Sequence, residues 1–151
     1  MNASLTHTRR LVGQMQLLAE ELKGARQGRV EMSWRQKAVY LPDEGERVSL
    51  NPMERTLYRL FLAHPEGILA DDLVLHWKEL CDIYAKESCF DDPDMRDAKL
   101  ESLCEESKRV FYSTVSRIKK QFTEKLAPWR SGAYIIKNEG GVYKTRATLR
   151  E

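Results

Sequence analysis

The stretch SKRVFYSTVSRIKKQFTEKL, residues Ser107 to Leu126, limits the fold more than any other part of the chain. Placed on a helix at about 100° per residue, Phe111, Val115, Ile118, Phe122 and Leu126 fall in one narrow apolar stripe. A stripe of that length is stable only against a core, so other apolar elements must be brought to it. Ser107 is expected to cap the first turn, because its hydroxyl can accept from an otherwise free backbone N–H. Opposite the stripe stand Arg109, Ser113, Ser116, Arg117 and Lys120, with Glu124 the only acid on the helix. One face can therefore pack while the other offers cations and hydroxyls to a polyanion, the division a DNA-reading helix requires. The simpler reading is a solvated surface face, where lysine and arginine are ordinary.

The chain has 151 residues, enough for one domain with a real core. Its formal net charge is only +2, but the charge is unevenly placed. Residues 87–106 hold eight acids against Arg96 and Lys99, whereas eleven Lys or Arg follow from Lys108 onward. An acidic segment thus precedes a basic C-terminal part. No apolar run approaches the ~20 residues that span a bilayer, and the first residues lack a signal-peptide pattern. Three cysteines without framework spacing fit a reduced compartment, so a cytoplasmic protein with no membrane association is expected.

Taken in order, Leu11, Met15, Leu18 and Leu22 predict a helix from about Thr8 to Lys23, the core of an N-terminal arm over residues 1–27. Its leucine stripe either covers the chain's own core or meets a second copy as a homodimer. Residues 28 to 50 read as a small antiparallel sheet. Val30, Met32 and Trp34 point to one side of it, and Pro42-Asp43-Glu44-Gly45 forms a turn. Asn51-Pro52-Met53-Glu54 has the residues of a capped helix start, with Met53, Leu57, Leu60 and Phe61 facing inward and a stop near His64-Pro65-Glu66-Gly67. Ile68 and Leu69 are extended, and a second helix is expected from about Asp71 to Ala85, its core stripe Leu73, Trp77, Leu80 and Tyr84. Residues 86–106 look like an acidic insertion with a short helix from Asp92-Pro93 to about Cys104, carrying Met95, Leu100 and Leu103. After the basic helix, Tyr134 to Asn138 and Val142 to Ala147 read as a hairpin about Gly140-Gly141.

The order sheet, helix, turn, helix, basic helix, hairpin resembles the OmpR/PhoB-type winged-helix DNA-binding domain. VSLNPMERTLYRLFLAHPEGIL is similar to that family's first helix, STVSRIKKQF to its recognition helix, and YIIKNEGGVYKT to its wing, with Gly140 and Tyr143 in the places of its glycine and tyrosine. The resemblance covers about residues 37–147 and implies an α+β winged-helix fold, the domain expected over residues 28–151, and a transcriptional regulator whose partner is double-stranded DNA, with the basic helix in the major groove and the hairpin as wing. It implies DNA-facing roles for Ser113, Ser116, Arg117 and Lys120, and phosphate contacts for Arg109, Lys144 and Arg146. No receiver domain is expected within these residues, and the chain departs from the family in the long acidic connection before the basic helix and in Glu139, whose charge would repel phosphate.

No enzyme is expected. There is no nucleophile elbow and no phosphate loop, and the paired acids Asp71/Asp72 and Asp91/Asp92 sit where helices start. His76, Cys81, Cys89 and Cys104 match no metal-ligand spacing, so neither a metal nor a cofactor is expected. The alternative to DNA binding is a protein-interaction module that meets its partners through the acidic insertion and the N-terminal helix.

Overall fold

The computed structural model describes residues 28–34, 36–88 and 92–150. The expected Thr8–Lys23 helix, and the homodimer drawn from it, lie outside these residues. The described chain is mixed α+β, with five α-helices and two small sheets. Strands β1 (Arg29–Met32), β2 (Ala38–Leu41) and β3 (Glu46–Ser49) pair antiparallel in sequence order. Their second turn is closed by Gly45 at φ +65°, a conformation glycine adopts at no steric cost.

Helix α1 (Pro52–Ala63) begins with the expected box. The Asn51 side chain accepts from Glu54 N–H at 2.8 Å, and Glu54 accepts from Asn51 N–H at 2.9 Å. Strand β4 (Ile68–Leu69) leads into a 3-10 segment, Ala70–His76, and only then into α2 (Trp77–Glu87). The single helix expected over Asp71–Ala85 is therefore two. The 3-10 turns bury Leu73 but leave Val74 and Leu75 in solvent, whereas the α-helical periodicity resumes at Trp77.

Helix α3 (Pro93–Leu103) starts on the Asp92 side chain, which accepts from Met95 N–H at 2.9 Å. Leu100 and Leu103 are fully buried while Met95 is exposed, so this acidic segment is fastened into the core by its C-terminal end. Helix α4 (Arg109–Lys125) carries the stripe: Phe111, Ile118 and Phe122 are fully buried, Leu126 nearly so and Val115 half-buried. Ser107 is not its cap. Lys108 occupies that position at φ +59°, after a tight turn in which its N–H donates to Glu105 O, and Ser107 Oγ reaches only the Arg109 N–H at 3.4 Å.

A short helix α5 (Pro128–Ser131) precedes β5 (Ile136–Glu139) and β6 (Val142–Thr145). These form the expected hairpin, with Gly140 and Gly141 both at positive φ and β4 added alongside β6. The second hairpin strand ends earlier than Ala147. The chain crosses over, and β7 (Thr148–Leu149) joins the first sheet parallel to β1, giving the order β3-β2-β1-β7.

One core joins both sheets to the helices. Tyr58 of α1 lies 5.3 Å from Phe122, whose ring stacks on Tyr134 at 5.9 Å. The Tyr58 hydroxyl donates to Tyr134 O at 2.6 Å, and its burial raises its pKa far above the usual range, keeping it a neutral donor. Among the described residues no helix is long and apolar enough to cross a membrane.

Candidate nucleic-acid interface

The position of α4 follows from its stripe: with Phe111, Ile118 and Phe122 buried, the opposite positions must face out. Arg109, Ser116, Arg117 and Lys120 are exposed, as is Lys119, and Ser113 is half-buried. The side chains of Arg109, Arg117, Lys119 and Lys120 form no ion pair among the described residues. Their charge is therefore not neutralised by any of the described acids. The acids of α3 are exposed and none forms an ion pair with these cations, although α3 packs beside α4.

Arg117 stands on one flank of α4, at the rim of a groove of about 1030 Å³ that Trp34, Lys37, Lys86, Lys99 and Thr114 also line. Tyr112 stands on the other flank, where it meets the hairpin. Tyr143 of β6 packs edge-on against Phe111 at 5.0 Å and lies 6.2 Å from Tyr112. These rings hold β5 and β6 beside the N-terminal half of α4. In the sequence Tyr112 is one more aromatic near a core stripe; its 46 % exposure beside Tyr143 distinguishes it.

The hairpin cations behave differently from those on the helix. Lys137 and Lys144 are direct cross-strand partners, a like-charge pair that costs stability unless offset. Glu139 offsets it, at 2.9 Å from Lys144 Nζ and 3.9 Å from the Arg146 guanidinium. The hydrogen bond from Lys144, helped by the charges of Lys144, Arg146 and Lys137, lowers the Glu139 pKa, so this carboxylate stays ionised. Lys144 and Arg146 thus already share an anion, which the expectation of phosphate contacts did not include.

A second charged cluster lies inside. Glu87 at the end of α2 accepts from Arg55 Nε at 2.5 Å and Arg59 Nε at 2.7 Å, all three side chains buried. Trp34 caps it, with the Arg59 guanidinium 3.6 Å from its ring centroid and Lys86 at 5.0 Å. Trp34 is 45 % exposed, not turned into the core as its alternation with Val30 and Met32 implied, because its ring covers this guanidinium instead.

Among the described residues His76 does not group with Cys81 or Cys104. Its ring lies 4.5 Å from that of His64, and both histidines face Glu79. Against this geometry, no protein-family model, curated protein or solved structure matches the chain.

Proposed function

We propose that this is a winged-helix DNA-binding protein, a transcriptional regulator that sets α4 in the major groove with the β5–β6 hairpin as its wing. The observation that carries the reading is the outward face of α4. Arg109, Arg117 and Lys120 are exposed and form no ion pair among the described residues, next to a hairpin locked to the helix by Tyr143. Unpaired cations along one helix suit phosphate oxygens, and Arg117 has the reach to meet a guanine edge. Ser113 and Ser116 lie between them as short hydrogen-bond donors that allow close approach. Lys144 and Arg146 contribute less while Glu139 holds them.

The test is duplex binding by the full chain, followed by fluorescence anisotropy at low and moderate salt. The wild-type protein binds mixed-sequence duplex and loses affinity steeply as salt rises. Replacing Arg117 and Lys120 by alanine removes most of that binding without lowering the melting temperature, since both side chains are exposed. No binding by the wild type at low salt would instead favour a protein-interaction module. That second reading draws on Leu69, Val74 and Leu75, which expose apolar surface at β4 and the 3-10 segment next to it.

A further inference from the structure

His64, His76 and Glu79 come from two neighbouring places: His64 ends α1, His76 ends the 3-10 segment, and Glu79 sits in the first turn of α2. Each offers one ligand atom, and the three atoms lie within 4.8 Å of one another. His64 Nε2 lies 3.0 Å and His76 Nδ1 3.6 Å from the same Glu79 carboxylate oxygen, Oε1. Two ligands held about 2.0–2.1 Å from a tetrahedral ion are about 3.3–3.4 Å apart. These two separations bracket that value, so each histidine–carboxylate pair needs shifts of a few tenths of an ångström to hold an ion, while the histidine nitrogens, within 4.8 Å of each other, must close by more.

The second observation concerns the far side of the His64 ring. Its Nδ1 lies 3.0 Å from a Glu66 carboxylate oxygen. A ligating histidine ordinarily donates its other N–H to such a carboxylate, which fixes the tautomer and aims the free nitrogen at the metal. Here that arrangement turns Nε2 toward Glu79. The side chains of His64 and His76 are each between a fifth and a quarter exposed, and that of Glu79 about two-fifths, so an ion has a path in and room for a water ligand.

We propose that His64 Nε2, His76 Nδ1 and the Glu79 carboxylate bind one divalent transition-metal ion of the zinc class, with Glu66 orienting His64. Two imidazoles and one carboxylate suit zinc or cobalt better than the all-oxygen preference of magnesium or calcium. The ion ties the end of α1 to the start of α2, and water completes its coordination. This is independent of the DNA-binding reading.

The experiment uses the full, untagged chain stripped of metal, titrated with Co²⁺ and followed by absorption, and with Zn²⁺ by calorimetry and thermal melting. The expected result is one ion per chain, visible tetrahedral cobalt bands without sulfur-to-cobalt charge transfer, and a melting temperature that rises with Zn²⁺. His76→Ala and Glu79→Gln each abolish the cobalt bands while the metal-free melting temperature stays close to wild type. Glu66→Ala weakens binding about ten- to a hundredfold with all three ligands intact. A charge-transfer band would assign the ion to Cys81 or other thiols and overturn the proposal. So would the absence of binding, or binding unchanged by His76→Ala.

Discussion

Glu87 is a single buried carboxylate shared by two buried guanidinium groups, and it shows how much one side chain can decide. Arg55 also donates to Leu50 O at 2.5 Å, so the cluster links the end of the first sheet, α1 and α2. Nothing in the sequence marks it. Arg55 and Arg59 stand four apart on a helix without any local carboxylate partner signal, and Glu87 is one acid of the run 87–106. Removing the carboxylate leaves both cations buried and uncompensated, so Glu87→Gln is expected to cost about 3–5 kcal/mol in urea unfolding; a loss below about 1 kcal/mol would show the pair is dispensable. Glu139 acts the other way, as an exposed carboxylate that occupies cations. Glu139→Gln releases Lys144 and Arg146, and the duplex-binding reading then predicts tighter binding with a salt slope steeper by about one to two. Unchanged affinity would mean that the hairpin does not touch the backbone.

At the scale of elements, the features legible beforehand are those written in short-range chemistry. The Asn51-Pro52-Met53-Glu54 start, the Gly45 turn, the Gly140-Gly141 turn and the α4 stripe each depend on neighbours within about one turn of chain. What stayed hidden depends on distant partners. Strand β7 is two residues long and has no pattern of its own, and its pairing with β1 joins opposite ends of the described chain. The 3-10 segment reads as α-helix in the sequence because Leu73 keeps the α-helical phase of the Trp77–Leu80–Tyr84 stripe. Gly67 is a third case. It sits at φ +92°, and a Cβ there would lie 2.4 Å from Val142 Cγ1 and 3.0 Å from Tyr143 O. Only glycine lets β4 pair against β6 so closely. Gly140 shares the positive φ with open space around it. Gly140→Ala therefore costs only the left-handed backbone penalty of about 1–2 kcal/mol, whereas Gly67→Ala costs clearly more in chemical denaturation. Equal losses would show that β4 yields to the methyl group.

For the whole molecule, the near-neutral total charge conceals a division of labour. The acidic α3 contributes Leu100 and Leu103 to the core and leaves its carboxylates in solvent, without pairing to the exposed cations of α4. Those cations were the legible part of the candidate interface, since helical phase alone placed them opposite the stripe. The restraint on Lys144 and Arg146 was not, because it depends on the hairpin register that brings Glu139 diagonally across from Lys144. If the outward cations of α4 neutralise phosphates, the slope of log binding constant against log salt for duplex DNA differs between the wild type and Lys120→Ala. The wild type has a steep negative slope that becomes shallower by about one in the variant. An identical slope in the two proteins, or a wild type that does not bind duplex at the lowest salt, would rule out phosphate neutralisation by this face.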